Sequence, residues 1–240
     1  MFQDSEELRQ QLVEEMFSFE LSLSDEQIGL LLKHLDLVVE KNKVVNLTRI
    51  TDPVSALRLH VLDSLLITKV LPQKRKFVDI GTGAGFPGIP FAIATGSNGI
   101  LLDSVGKKIS AVNEFIDELG LQKSLRGVNG RAEEVVKNSM HVYDLVIARA
   151  VAPLNVLVEY ASPFLHHDGL FLAAKSNIRE DELSDGLSAA RLCGLTNVSR
   201  ETFELPYNSG HRELILFKKT ATEKVKLPRR NGMAKNDPLC

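Results

Sequence analysis

The stretch FVDIGTGAGFPGIP, residues 77–90, decides how this chain is read. An aromatic and β-branched run carries the acid Asp79, and Gly81, Gly83 and Gly85 then follow at alternate positions. Glycine tolerates positive φ and lets a ligand approach the backbone, as a strand-to-helix turn around a cofactor requires. The spacing is Gly-x-Gly-x-Gly, whereas the dinucleotide fingerprint is Gly-x-Gly-x-x-Gly. A pyrophosphate binder leaves the helix N-terminus open. Here Phe86, Pro87 and Pro90 crowd that position, and no lysine follows the glycines as in a P-loop. The loop therefore reads as a cradle for a neutral or cationic adenosyl cofactor.

Outward from this turn, strand and helix alternate. Strands are expected at Phe77–Ile80, Gly99–Asp103, within Ser124–Asn129, at Tyr143–Ala148 and at Gly169–Ala174. Helices are expected at about Gly88–Ala94, Lys107–Leu119, Ala132–Lys137, after Pro153, and at Arg179–Cys193. Such alternation implies a parallel sheet with helices on both faces. The last two strands, Asn197–Leu205 and Glu213–Lys218, are joined by a loop with Pro206, Asn208 and Gly210, so the sheet should end in an antiparallel hairpin. The expected fold class is α/β, a Rossmann-like class I methyltransferase architecture with a mostly parallel seven-stranded sheet and a C-terminal antiparallel hairpin.

Helices should precede this core. Leu8, Leu12, Met16 and Phe17 recur at helical spacing, as do Ile28, Leu31, Leu32, Leu35 and Val38 after a start signal at Ser24-Asp25. A third helix should open at Asp52-Pro53 and run through Leu57, Val61 and Leu65. The expected division is an N-terminal helical cap over 1–73, a methyltransferase core over 74–219 and a basic tail over 220–240. That tail carries Lys224, Lys226, Arg229, Arg230 and Lys235. Its charge fits contact with nucleic acid phosphates, or equally a solvated, partly disordered terminus.

In open α/β sheets the ligand lies beyond the carboxyl ends of the strands. The first strand delivers Asp79 and the glycine loop. The second ends in Asp103-Ser104, placed to accept from ribose hydroxyls. The third ends in Gly130-Arg131-Ala132-Glu133, whose backbone and short side chains could flank an adenine ring. The fourth ends in Ala148-Arg149-Ala150, beside the expected reaction centre, where Arg149 could contact the cofactor, hold a phosphate, or pair with a nearby acid.

Composition sets outer bounds. The net charge is −2 over 240 residues, so the total implies neither nucleic acid nor membrane. The two cysteines, Cys193 and Cys240, are no disulfide framework and fit a reducing cytoplasm. The first residues are acidic and amphipathic, unlike a secretory signal, and no apolar run is long enough for a membrane span. His166 and His167 precede Asp168-Gly169 in an expected turn, without further ligands at metal spacing, so no metal is expected.

The chain resembles the small-subunit ribosomal RNA guanine-N7 methyltransferase family, also called glucose-inhibited division protein B. The matching motifs are DIGTGAGFPGIP (79–90), LLDSVGKK (101–108), GRAEE (130–134), ARAVAPL (148–154), NLT (46–48) with HVLDS (60–64), and LPRRNG (227–232). The resemblance implies S-adenosylmethionine as cofactor, with Gly81, Phe86, Ala132, Glu133 and Arg149 in contact and Asp103 at the ribose. With Gly83, Gly85 and Ser104 these form the expected cofactor set, and Arg149 is the expected positioning residue at the reaction centre. Arg49, Arg58 and His60 could line an RNA-facing edge of the cap, with Arg229 and Arg230 in the tail; His60 fits equally well as a helix-packing histidine. The implied partner is 16S ribosomal RNA or the small ribosomal subunit, and a cytoplasmic monomer is expected. The family's usual tryptophan before Asn-Lys is Lys41 here, and its aromatic-proline after the first sheet helix is Thr95-Gly96.

Guanine N7 presents a lone pair and needs no general base. Pyrimidine C5 would require a placed cysteine nucleophile, and exocyclic amines typically use an Asn/Asp-Pro-Pro-aromatic loop where this chain has 148–153. The alternatives are a small-molecule methyltransferase on the same fold and a non-catalytic RNA-binding ribosome-assembly factor.

Overall fold

The computed structural model describes residues 5–240, so the first four residues of the expected cap lie outside it. Five strands alternate with helices: β1 (Lys76–Ile80), β2 (Asn98–Asp103), β3 (Leu125–Asn129), β4 (Tyr143–Arg149) and β5 (Leu165–Lys175). β6 (Leu195–Leu205) and β7 (Gly210–Lys219) follow as a hairpin. The sheet order is β3-β2-β1-β4-β5-β7-β6. The first five strands pair in parallel, and β7 inserts antiparallel between β5 and β6. The chain order reverses direction between β1 and β4, which opens a crevice beyond their carboxyl ends.

Period-two alternation divides the sheet residues between two cores. Phe77, Leu101, Leu145, Ile147 and Leu172 face one cluster, with Leu12, Met16, Leu31 and Leu35 of the N-terminal helices. Val78, Leu102, Val146, Ala148, Phe171 and Ala173 face the other, under α9 (Leu154–Ala161) and α10 (Glu180–Leu192). The N-terminal helices thus share one hydrophobic core with a sheet face. α1 (Glu6–Phe17) starts at the Ser5 cap, and α2 (Asp25–Asn42) at a capping box of Ser24 and Gln27. Gln27 Nε2 also donates to the Ile93 and Ala94 carbonyls at 2.8 and 3.2 Å, occupying the open end of α6 (Gly88–Thr95). The segment reaches the sheet at its most apolar helix, which is buried over most of its length.

The third expected helix is broken. α3 (Pro53–Ala56) passes into a π-helical turn over Leu57–Leu62, then α4 (Asp63–Leu65) and α5 (Ile67–Val70). The Asp63 N–H donates to the Arg58 carbonyl five residues back. A single period-3.6 reading cannot register that extra residue, and π turns concentrate at functional sites. His166 and His167 fall inside β5, where the register jumps from Tyr143↔Leu165 to Leu145↔Leu170 and Asp168 takes φ +69°. The expected turn is therefore an irregularity within a strand. Among the described residues no helix is long and apolar enough to cross a membrane, and no group of three or more His, Cys, Asp and Glu is placed to hold a metal ion.

The two departures from the family pattern are accommodated locally. Lys41 pairs with Glu114 of α7 (Gly106–Glu118), and the Thr95 hydroxyl bonds Ser97 Oγ at 2.6 Å.

Candidate active site

The three glycines after β1 all have positive φ, +75°, +59° and +91°, but they do different work. A Cβ on Gly81 would lie 2.4 Å from Val151 Cγ2, so only a bare backbone fits between β1 and the loop after β4. The Gly83 amide donates to Asp103 Oδ2 at 3.1 Å, tying the loop to the end of β2. Gly85 packs inward, where a Cβ would meet Ile89 at 2.5 Å and His34 at 3.2 Å. Asp79 caps α6, with Oδ2 accepting from the Gly88 amide at 2.9 Å. Burial pushes its carboxyl up to about 6, against the opposing pull of the nearby Thr82 hydroxyl and the Gly88 amide.

Beyond β1, β2 and β3 lies a cavity of ≈ 240 Å³. Of the expected cofactor residues, Gly81, Asp103, Ser104, Ala132 and Glu133 line it. Asp103 is held by two amides, Gly83 on Oδ2 and Val105 on Oδ1 at 2.9 Å, and each oxygen keeps a lone pair for a further donor. Lys108, Arg131, Tyr160 and Lys235 also line the cavity. Lys108 sits in the LLDSVGKK motif and Arg131 in GRAEE, so both were within reach of sequence reasoning; Tyr160 and Lys235 arrive from α9 and the tail and left no local signal. Burial, with the Glu133 carboxylate next in weight, pushes the Tyr160 phenol up to about 12.

Gly83, Gly85, Phe86 and Arg149 do not line this cavity. Phe86 is buried between two histidines, with ring centroids 4.5 Å from His34 and 4.8 Å from His60, the latter stacked at 15°. Arg149 faces a second cavity of ≈ 640 Å³, also lined by His60, Asp63, Lys175, Glu182 and Arg212. Ala150 and Val151 line both cavities and form their common wall. Ala150 has φ +55°, a costly conformation for a residue with a Cβ, placed where the two cavities meet.

Arg149 is fixed from the N-terminal helices. Its Nη1 donates to Asp63 Oδ2 at 2.7 Å and to the Leu59 carbonyl at 3.1 Å. Asp63 Oδ1 accepts from Arg212 Nε at 2.9 Å, so one carboxylate bridges two guanidinium groups. The π turn supplies both Leu59 and His60, and Asp63 follows it directly. His60 Nε2 bonds Thr48 Oγ1 at 2.8 Å, which joins the NLT and HVLDS motifs. Burial, then the Arg149 charge, pushes the His60 imidazole down to about 4, and burial pushes His34 down to about 3. Both rings are neutral near pH 7. The loop after β4 is clamped from behind: Lys175 Nζ donates to the Ala152 carbonyl and Glu182 Oε1 accepts from the Leu154 amide, at 2.7 and 3.0 Å.

The residues expected to face RNA are not gathered on one surface. Arg49 is exposed beside Ile50, which lines the second cavity. Arg58 is engaged within the fold, bonded through Nε to Glu15 at 2.7 Å and lying 4.1 Å over the Tyr207 ring. Arg229 is turned inward, bidentate to buried Glu159 at 2.8 and 2.6 Å, whereas Arg230 is exposed. The tail is tied to α9 through Arg229, which pairs the otherwise uncompensated buried Glu159, and through buried Ala234, while most of its other residues are exposed or half-buried.

The family described as GidB, rRNA small subunit methyltransferase G, matches residues 27–213. The chain is 36% identical over 238 residues to the ribosomal RNA small subunit methyltransferase G of Alkaliphilus oremlandii, covering 97% of this chain and 99% of that one. It is 36% identical to the same-named protein of Desulfitobacterium hafniense over 242 residues, with both chains covered in full at 100%. Among solved structures it is similar to 1,6-didemethyltoxoflavin-N1-methyltransferase of Burkholderia thailandensis, with TM-score 0.54, 15% identity, and coverage of 84% of this chain and 92% of that one. A methyltransferase fold with two cavities meeting at the loop after β4, carrying these motifs and these full-length relatives, is explained by descent: the chain belongs to the rRNA small subunit methyltransferase G family.

Proposed function

We propose that this protein transfers a methyl group from S-adenosylmethionine to N7 of a guanine in 16S ribosomal RNA. The observation that carries the reading is the shared wall at Ala150–Val151 between a small cavity with ribose-binding chemistry and a larger one lined by fixed cations. The first cavity suits an adenosyl group. Gly81 brings bare backbone to the cavity wall against Val151, Asp103 offers lone pairs to hydroxyls, and Ala132 and Glu133 follow the end of β3. Bound there, the cofactor supplies a methyl group on a sulfonium.

The chain's own contribution is positioning. Arg149 is held on Nη1 by Asp63 and Leu59, so its remaining donors can orient guanine O6 or a backbone phosphate in the second cavity. In-line displacement at carbon draws most of its acceleration from such placement, and N7 brings its own lone pair. His60 is neutral and stacked on Phe86, which supports a role in shaping the cavity wall and not in proton transfer. Neither cysteine lines either cavity; Cys193 is buried, its thiol pushed up to about 12, first by desolvation.

The test is mass mapping of methylated guanines in small-subunit RNA from cells with and without the protein, followed by transfer in vitro to subunits lacking the mark. Loss of one N7-methylguanosine and its restoration by the purified protein are expected. An unchanged level of N7-methylguanosine overturns the reading.

A further inference from the structure

The C-terminal segment meets the first cavity through Lys235, which lines it, and through Gly232, which bonds a lining residue. Arg229 anchors it to Glu159 of α9, and Asn231 Nδ2 donates to Glu134 of α8 (Ala132–Val135). The Gly232 amide donates to Glu133 Oε1 at 3.0 Å, and Glu133 is itself a buried residue of the cavity wall. α11 (Met233–Asn236) then seats Ala234 in the core and brings Lys235 to the cavity. Asn155 Nδ2 donates to the Cys240 carbonyl at 2.5 Å.

We propose that the C-terminal segment, anchored at Arg229 and Gly232, completes one side of the cofactor site, with Lys235 as a cofactor-contact residue. The inference rests on the S-adenosylmethionine reading. The Gly232 amide occupies one oxygen of Glu133 and thereby fixes its rotamer, leaving the other oxygen to accept from an adenosyl amino or hydroxyl group. A lysine stem can lie along a purine face while its ammonium stays in water, which gives Lys235 a means of covering the ring without burying charge. In this arrangement the basic tail serves cofactor affinity and not RNA affinity.

The test compares the full chain with Lys235→Ala and with a chain ending at residue 226, using S-adenosylhomocysteine as probe in calorimetry and ribosomal RNA in filter binding. Losing a hydrogen bond that fixes a charged group should weaken S-adenosylhomocysteine binding about tenfold in the shortened chain. Lys235→Ala, at an exposed position that should not impair folding, should weaken it about threefold. A synthetic 227–240 peptide should restore affinity to the shortened chain, and S-adenosylhomocysteine should slow proteolysis within the tail of the intact protein. Unchanged S-adenosylhomocysteine affinity in Lys235→Ala together with no protection of the tail overturns the inference. So does a shortened chain that binds S-adenosylhomocysteine normally and loses RNA. An intact protein that fails to bind S-adenosylhomocysteine instead overturns the function on which the inference rests.

Discussion

Replacing Asp63 by asparagine tests the link between the cap and the reaction centre. The carboxylate lies 2.7 Å from Arg149 Nη1 and 2.9 Å from Arg212 Nε, with the two arginine side chains each 15% exposed. Removing one partner of a buried pair costs about 3–5 kcal/mol, because the other charge is left uncompensated. Partial exposure of both guanidinium groups lowers the expected loss to roughly 2–3 kcal/mol. At about 2–4 °C per kcal/mol for a chain of this size, the melting temperature should fall by roughly 4–12 °C. Arg149 loses its charged partner and keeps the Leu59 carbonyl, the Phe86 ring and at most one amide acceptor as anchors, and a displacement of about 1 Å at a reacting centre costs on the order of 100-fold in rate. Asp63 does not line the first cavity, so S-adenosylhomocysteine affinity should stay within about twofold of the parent. Calorimetry with S-adenosylhomocysteine, thermal melting and methyl transfer to unmodified small subunits read these quantities separately. Adding Arg212→Gln relieves the repulsion and should recover about 1 kcal/mol of stability without restoring the rate. A variant with parental kcat and melting temperature, or one whose main defect is cofactor affinity, would refute the reasoning.

Three further outcomes are expected. Gly81→Ala drives a Cβ to 2.4 Å from Val151 at φ +75°, so S-adenosylhomocysteine affinity should fall at least about tenfold; normal affinity would show that the loop does not cradle the cofactor. His34 and His60 have folded-state values pushed below the ordinary 6.5, to about 3 and about 4, so the unfolded chain takes up protons first. Their contribution is complete above pH 6.5 and is lost as pH falls toward 4, at about 1.4 kcal/mol per pH unit for each ring. Asp79, raised to about 6, runs the other way and loses stability as pH rises from 3.8 to about 6, offsetting part of that slope. Urea unfolding at several pH values should show the histidine slope, and His34→Gln should reduce it by about 1.4 kcal/mol per pH unit; an identical slope refutes the assignment. Arg229→Gln should cost about 2–3 kcal/mol of stability because Glu159, 3% exposed, loses its bidentate partner, while Arg230→Gln should change stability by less than about 0.5 kcal/mol. Equal melting temperatures for the two variants would contradict the inward placement of Arg229.

Much of the architecture was legible because its signals are local. The FVDIGTGAGFPGIP turn, the alternation of strand and helix and the closing hairpin depend on residue size, period and turn chemistry within short windows, and all appear where expected. That Asp103, Ser104, Ala132 and Glu133 come to one cavity was legible for the same reason, since a strand end is a local event and the sheet brings strand ends together. The π turn over Leu57–Leu62 was not, because one inserted residue leaves the apolar pattern nearly helical. Nor was the irregularity at His166–Gly169, where β5 carries extra residues against β4.

What the sequence by itself determined is the fold class, the end of the sheet at which the cavities lie, and the family. What only the tertiary structure decided is which side chains share a cavity. Arg149 meets Asp63 across 86 positions, Arg212 meets Asp63 across 149, and the Gly232 amide meets Glu133 across 99. Such pairs carry no periodic signal, because their partners are set by how the cap, the hairpin and the tail close on the sheet. The same physics moved Arg58 and Arg229 from an expected RNA-facing surface to internal pairs: a guanidinium is as good a partner for a buried carboxylate as for a phosphate, and only packing chooses between them.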